Sequence, residues 1–488
     1  MEERSGVLTY AVRGRVVLKY CGQLMLMLML LTLVPLGVAL LEGDWLPAQR
    51  YGILCCILLA AGGLLARLQA PSQIRVNEAL TVTALAFLLS PLLMSWPLMA
   101  TGISFTDALF EAISGVTTTG LSTLGSIEQR PSSFLFARAW MQWYGGLGIV
   151  ILSVALLMGH HAAARRLVDP VAGGEALVAT ARTHARHSII IYLCLTLFGL
   201  ALVWPLTGDG FTAMVHVLAA VSTGGFSSFD NSLAGLHSAA AAAIMCVAVM
   251  GAVSLPLYWR VFHAGWSGGL RALLDDVELR ALLVCGVLVS GVLICLAWAR
   301  GIAAPWHQGL MMGLSAQTTT GFATMDPADM GQASKLVMIV SMLVGGSVGS
   351  TAGGFKLLRL LILLRLLQLM LRRSTLPPHA VVEPFLAGQK LDEGDLIRAL
   401  QLILLFIGVA VVSWMPFVIL GYDPLDALFE VVSACGTVGL STGISRPELE
   451  PVLKGVLCFD MLAGRLEIIA LLILMYPRNW FGRRGEIL

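Results

Sequence analysis

Four short stretches of this chain combine threonine and glycine in a pattern suited to holding a bare cation. They are Thr118-Thr119-Gly120, Thr223-Gly224-Gly225, Thr319-Thr320-Gly321 and Thr437-Val438-Gly439. Threonine offers hydroxyl and carbonyl oxygens without a formal charge, and glycine permits a backbone turn that aims carbonyls inward. Potassium channels replace the ion's hydration shell with four loops of this kind, each reading Thr-Val-Gly-Tyr-Gly. The fourth stretch here shares the first three of those residues. The stretches belong to longer copies: Asp107 to Thr123 and Asp426 to Thr442 agree at 11 of 17 positions. Phe211 to Ser228 and Gln308 to Thr324 align with them through Gly225 and Gly321. The glycines lie 105, 96 and 118 residues apart, and each interval holds two apolar runs. One such turn between two spans needs no functional account; four in register describe a fourfold repeat around an ion pathway.

The elements that must position these stretches follow from composition. Hydrophobic residues make up 57% of the 488 and charged residues 12%, against about 25% charged in soluble domains. That excludes a soluble enzyme, a disordered chain and a nucleic-acid binder, and a net charge of +2 predicts no polyanionic partner. Ten apolar runs long enough to span a bilayer fall near 16–41, 51–67, 77–99, 137–159, 186–207, 236–262, 279–300, 333–371, 395–420 and 452–477. The first is too long for a signal-peptide core and lacks a small-residue cleavage site, so it reads as a span. With the N-terminus inside, cytoplasmic segments hold 23 of the 31 Lys and Arg and outer segments hold 7, which fixes the expected orientation. The outer segments also carry 14 acids, among them Asp230, Asp326, Asp329, Glu448 and Glu450, which should concentrate cations at the mouth.

Each Thr/Gly stretch lies on the outer side, after an amphipathic segment of roughly ten residues. Such a segment is about 15 Å long, half the hydrocarbon core, so it has to enter and return. Irregular backbone at that depth survives only when buried in protein or lining water. The short helix directs its partially negative C-terminal end toward the bilayer centre, which favours a cation.

Two further features sit inside the spans. The run 333–371 is interrupted by Gly345-Gly346-Ser347-Val348-Gly349-Ser350-Thr351-Ala352-Gly353-Gly354. Glycines at about 1 kcal/mol each relative to alanine predict an intramembrane loop beneath the third stretch, able to obstruct the pathway; close helix packing through small residues is the alternative. Lys356 and Arg359, just after it, are expected to face the cytoplasmic vestibule. The last run holds Asp460, Arg465 and Glu467, and a charge at mid-bilayer costs about 3 kcal/mol. Arg465 lies about 140° around the helix from Asp460 and about 200° from Glu467. It therefore points at the pore or at carbonyls of another element, such as the broken eighth run. Below the stretches a guanidinium would raise a barrier to cations.

The repeated stretches, the two extra N-terminal runs, the glycine-rich interruption and Gly464-Arg465-Leu466-Glu467 resemble the superfamily of potassium transporters comprising Trk, Ktr and plant HKT proteins. The likeness is closest to the Trk-type transmembrane subunit and covers essentially the whole chain. It implies an all-α membrane protein with four tandem span–pore helix–span repeats around one pore. Two extra helices over 1–75 would precede repeats at 76–184, 185–277, 278–393 and 394–488. It implies a potassium-binding filter at the twelve residues of the four stretches. It also implies a gate formed by Gly345, Gly346, Ser347, Gly349, Ser350, Thr351, Gly353 and Gly354, with Arg465 as a pore-blocking residue. Plant relatives with serine in place of the first filter glycine prefer sodium, so Gly120 implies potassium. Potassium is the only ion implied, with no organic cofactor and no catalytic residue.

The chain has no Walker A motif and no room for a nucleotide-binding domain. The resemblance supplies that part as a cytosolic ring of Rossmann-type nucleotide-binding regulatory subunits, and it implies a homodimer of the membrane subunit, surrounded by lipid. The implied location is the bacterial inner membrane, multi-pass, with the N-terminus cytoplasmic. Passive flux and symport with protons or sodium are both compatible with these residues. Two rivals share part of the pattern. The channel-like subunit of an ATP-driven potassium pump has the same fourfold plan. A polytopic membrane enzyme would need acids, bases or metal ligands converging in a span, and the charges read as lying within the bilayer are the trio around Arg465. His160-His161, beside Arg165-Arg166, reads as a solvated juxtamembrane cluster rather than a metal site. Phe355 to Arg373 reads as an interfacial helix or a docking surface, and the nine cysteines as buried thiols.

Overall fold

The computed structural model describes residues 11–71, 74–160, 177–375, 377, 384–387 and 389–481. The His160 side chain, His161, Arg165 and Arg166 lie outside the described residues. Two N-terminal helices, α1 (Gly14–Leu41) and α2 (Trp45–Ala66), form a hairpin. Small residues set their approach: a Cβ on Gly62 would meet the Gly22 carbonyl at 3.0 Å, the close packing that lipid-embedded helices use.

Four units follow, each a span, a buried half-helix and a second span. The first is α3 (Val76–Leu98), α4 (Phe105–Val116) and α5 (Ser132–His160). The second is α6 (Leu177–Thr207), α7 (Gly210–Val221), α8 (Ser238–Gly251) and α9 (Leu255–His263), with α10 (Gly265–Asp275) as a link. The third is α11 (Val277–Ala299), α12 (Pro305–Gln317), α13 (Gln332–Val344) and α14 (Leu357–Arg373). A two-residue hairpin, β1 (Phe385–Leu386) against β2 (Gln389–Lys390), leads to the fourth. That unit is α15 (Glu393–Ile419), α16 (Pro424–Cys435), α17 (Pro451–Arg465) and α18 (Ile469–Met475), closed by α19 (Pro477–Phe481). The fold is thus an all-α membrane protein of four span–half-helix–span repeats plus two leading helices. Leu197, Leu283, Val287, Leu404 and Val412 stand exposed on its outside, where lipid replaces water as the solvent.

All ten apolar runs are helical, but three second spans are broken where the glycine content marks one. Besides the interruption between α13 and α14, the run 236–262 bends by 86° between α8 and α9. The run 452–477 breaks after Arg465, where Glu467 and Ile468 take φ of +52° and +63°. Hydropathy counts apolar residues and cannot see either break. The first coincides with Ser254-Leu255-Pro256, with the proline near the start of α9 as proline requires; the second has no proline, and its one glycine, Gly464, still lies within α17. The cysteines also differ from expectation: Cys21, Cys55 and Cys435 are buried, but Cys56, Cys194, Cys246 and Cys295 are exposed on the apolar outer surface.

Candidate ion pathway

The four half-helices end in the same way. In each, the amide of the residue after the first threonine of the Thr/Gly stretch bonds five residues back, and that threonine's amide bonds three back. The pairs are Thr119 to Ser114 and Thr118 to Gly115, Gly224 to Ala219 and Thr223 to Ala220, Thr320 to Ser315 and Thr319 to Ala316, and Val438 to Ser433 and Thr437 to Ala434, all within 3.3 Å. This is the Schellman ending, whose left-handed residue is usually glycine. Here it is Thr118, Thr223, Thr319 and Thr437, at φ of +53°, +50°, +52° and +48°. A β-branched residue in that region is strained by about 1–3 kcal/mol, so the fold holds four threonines where glycine would be easier. Thr118 and Thr437 are buried, and among the described residues their hydroxyls have no hydrogen-bond partner. The Thr223 hydroxyl donates to the Ser222 carbonyl at 2.8 Å, and the Thr319 hydroxyl accepts from Gly353 N–H at 2.6 Å. At the outer ends, Ser104, Asp209 and Asp423 cap α4, α7 and α16, whereas α12 starts with Pro305 and no side-chain cap. The Thr212 hydroxyl and N–H, with the Phe211 N–H, hold the Asp209 carboxyl below its ordinary range.

The glycines then close a ring. A Cβ on Gly120 would overlap the Gly224 carbonyl, one on Gly225 that of Thr320, one on Gly321 that of Val438, and one on Gly439 that of Thr119. Each unit's glycine therefore abuts the next unit's Thr/Gly stretch in chain order, and the fourth returns to the first. All four glycines have φ between +75° and +95°, and all four line one outer cavity of about 510 Å³. Of the acids expected at the mouth, Asp230 and Asp326 line this cavity. Glu450 instead accepts from the Tyr422 hydroxyl at 2.8 Å.

Polar residues behind the ring escaped the sequence reading. The half-helix residue nine before each glycine reaches the residue two after it. Glu111 accepts from Ser122 Oγ at 2.5 Å, His216 Nε2 meets Ser227 Oγ at 3.0 Å, and Glu430 accepts from Ser441 Oγ at 2.9 Å. In the third unit the same places hold Met312 and Ala323, which have no such bond to make. Arg138 on α5 pairs with Glu111 at 2.8 Å and lies 3.8 Å over the Phe226 ring of the second unit. One turn on, Gln142 Oε1 accepts from Phe226 N–H at 3.1 Å and its Nε2 donates to the Gly224 carbonyl. The available signal was an arginine and a glutamine spaced four apart within an apolar run, which are rare in membrane spans and face protein. The seams between units differ. Lys335 pairs with Asp426 and Lys454 with Asp107, each at 2.6 Å, while the second and third units meet through Leu233 N–H to the Ala323 carbonyl at 2.9 Å.

Beneath the ring runs the glycine-rich segment 345–356. The Gly345 carbonyl accepts from Gln317 Nε2 at 2.7 Å, and Gly354 N–H reaches the Gly436 carbonyl at 3.1 Å. Thr351 Oγ1 donates to the Val221 and Gly251 carbonyls at 3.0 and 2.9 Å. Ser347 N–H reaches the Ala252 carbonyl at 3.2 Å, and the Gly349 carbonyl accepts from Leu255 N–H at 3.1 Å. Gly346 accepts from Leu357 N–H at 3.0 Å, and Ser350 Oγ donates to the Ser347 carbonyl at 2.6 Å. The segment thus touches the half-helix ends of the second, third and fourth units, not only the third, and satisfies carbonyls freed where α8 stops. Arg465 is buried and donates through Nη1 to the Thr351 carbonyl at 2.8 Å, while Nε and Nη2 have no partner among the described residues. Asp460 bonds Ser413 and Glu467 pairs with Arg359, each at 2.5 Å. Lys356, expected in the vestibule, is buried, with its ammonium on the Ala352 carbonyl.

Four half-helix ends meeting in one ring of uncharged oxygens, within a bundle clothed in apolar side chains, define a membrane ion transporter rather than an enzyme. The chain belongs to the TrkH family, described as cation transport proteins, whose model matches residues 47–480. It is 30% identical over 392 residues to the Trk system potassium uptake protein TrkH of Escherichia coli, covering 78% of this chain and 80% of that one. It is 28% identical to the TrkH of Halomonas elongata, over 96% of this chain and 99% of that one. The crystal structure of the potassium transporter TrkH from Vibrio parahaemolyticus superposes with a TM-score of 0.85 at 27% identity, over 96% of this chain and all of that one.

Proposed function

We propose that this chain takes potassium into the cell through one pore, with the four Thr/Gly stretches as its selectivity filter. The single observation that carries this reading is the closed ring of glycine-to-carbonyl contacts at Gly120, Gly225, Gly321 and Gly439. The choice of potassium rests on Gly120 and on the names of the relatives. Cations gather in the outer cavity beside Asp230 and Asp326 and shed water onto the filter carbonyls and the unpartnered hydroxyls of Thr118 and Thr437. They then wait above segment 345–354 and Arg465, which together form the gate. Two unused N–H groups of a buried guanidinium oppose a cation there, and displacing the segment and the arginine opens the path.

In this reading the repeats run 76–184, 185–277, 278–393 and 394–488 after a leading pair over 1–75. The protein sits in a bacterial inner membrane with its N-terminus cytoplasmic, following its Lys and Arg distribution. It works as a homodimer. The name "Trk system" of its relatives fits a multi-component assembly, in which a cytosolic Rossmann-type nucleotide-binding subunit supplies nucleotide-dependent control.

The test is Gly120→Ser, assayed by rubidium uptake with sodium competition in cells lacking other potassium uptake. The substitution should weaken the preference for potassium over sodium by roughly tenfold, about 1.4 kcal/mol. Uptake and competition equal to the parent would remove the filter assignment.

A further inference from the structure

One filter copy departs from the other three: Gly224 stands where they carry Thr119, Thr320 and Val438. We infer that Gln142 is a positioning residue of the second filter strand, its amide filling the place of the side chain that Gly224 lacks. This rests on the filter reading above and explains why one of the four walls is built differently.

Backbone conformation does not demand glycine here, because Gly224, unlike Gly225, is not in the left-handed region. What excludes a side chain is Gln142 itself. The three atoms nearest to a Cβ on Gly224 all belong to its amide, with Oε1 at 2.6 Å and Nε2 at 2.7 Å. Gln142 is fully buried and brackets Gly225, donating to the carbonyl before it and accepting from Phe226 N–H after it. It belongs to the first unit, so one unit's span sets the oxygen position of the next unit's filter.

Among the described residues, no other seam has this device. Gly145, Gly251 and Gly464 each pack against the carbonyl ending their own half-helix, at Val116, Val221 and Cys435. Three residues before these glycines stand Gln142, Ala248 and Met461, and Met342 holds the same place in the third unit. Of these four places only Gln142 is polar; Gln317, also buried and bonded at both ends, lies on a half-helix and bonds within its own unit, to the Gly345 carbonyl and from Ser341 Oγ. A carbonyl has two lone pairs, and one at Gly224 is engaged by Gln142. That wall therefore offers an ion a weaker ligand than the other three, and selectivity depends on ligand number and field strength.

The experiment uses the full chain in cells lacking other potassium uptake, reading rubidium influx, sodium competition and the amount of chain in the membrane. Gln142→Met, which installs the residue of the third and fourth units, should change the potassium-to-sodium preference by roughly fivefold or more, since a bonded polar wall is lost. Gly224→Thr should lower influx roughly tenfold or more through overlap with the amide. Gly224→Thr with Gln142→Ala should recover most of it, because threonine is native at the matching positions and the obstacle is gone. An unchanged preference in Gln142→Met, or a double variant no better than Gly224→Thr, overturns the inference. If Gly224→Thr fails to reach the membrane, the preference of Gln142→Met decides alone. A shift in Gly120→Ser without one in Gln142→Met removes this inference and keeps the filter; no shift in either removes the filter.

Discussion

At the level of the Thr/Gly stretches the four units are near copies, whereas one or two helical turns further in no two second spans are alike. The outer level repeats the same Schellman ending, the same left-handed threonine and the same glycine against the neighbour's carbonyl four times. At the inner level α5 runs on to His160, α8 and α9 meet at 86°, α13 gives way to segment 345–356, and α17 stops at Arg465. On the filter and gate proposed above, the difference has a physical reason. Replacing an ion's water shell needs oxygens from every side, so a defect in one copy spoils the whole site and strain is accepted in each. Blocking a pathway needs one obstacle, so a single unit can supply the loop, another the arginine, and the rest only the carbonyls that hold them.

The sharpest way to break this contrast is to compare two glycines of similar φ. Gly321 is at +82° and Gly421 at +90°. A Cβ on Gly321 would overlap the Val438 carbonyl, the closest of the four ring contacts, whereas nothing lies within 4 Å of one on Gly421. Gly321→Ala should abolish rubidium uptake by about 100-fold or more, the scale of an ångström-sized misplacement at a working site. Gly421→Ala should only strain the backbone, by about 1–2 kcal/mol, and leave uptake near the parent's. Equal losses in the two variants would mean that backbone strain, not the closed ring, is what matters at Gly321.

The same contrast decides what could be read from the chain before any fold was known. The outer level was legible because it is repeated: Asp107 to Thr123 recurs at Asp426 to Thr442, and four copies align on glycines that the fold does bring together. The glycine-rich break was legible because glycine disfavours helix locally. The breaks at 252–254 and 466–468 were not, since hydropathy passes over Pro256 at the first, and at both tertiary contacts hold the backbone that leaves the helix. Thr351 N–H and Ser347 N–H bond the carbonyls of Gly251 and Ala252, and Arg359 holds Glu467. Glu111, Arg138, Gln142 and Glu430 were passed over because a single polar residue in an apolar run hardly alters its hydropathy. Their partners lie in other units or across a loop, which no local pattern records.

Arg465 tests the inner level. Arg465→Gln removes the charge but retains an N–H that can reach the Thr351 carbonyl, now bonded by Nη1 at 2.8 Å. If the guanidinium is a barrier, rubidium influx into proteoliposomes holding the purified chain alone should rise roughly tenfold, about 1.4 kcal/mol off the barrier. An unchanged influx would reduce Arg465 to a brace for the segment. Because only one unit carries this arginine, the potassium-to-sodium preference should stay at the parental value, which separates the inner level from the outer one.

The smallest effect belongs to the seams. Lys335–Asp426 and Lys454–Asp107 tie the fourth unit to the third and the first, and neither carbonyl ring nor loop depends on them directly. Lys454 also donates to the Pro447 carbonyl at 2.9 Å, and Asp107 keeps bonds from Ser104 and Thr123 at 2.7 and 2.9 Å. Lys454→Met should therefore cost about 1–2 kcal/mol, between an exposed pair and a fully buried one whose partner is stranded. Thermal unfolding in detergent would show this as a Tm lower by a few degrees, with the potassium-to-sodium preference unchanged. Adding Asp107→Asn should recover part of the loss, since the penalty comes from the carboxylate left without its cation rather than from the missing attraction. A preference that moved with Lys454→Met would mean that the seams set the filter's dimensions, and the four walls would then be held to size by ion pairs on one side and by hydrogen bonds and ring packing on the other.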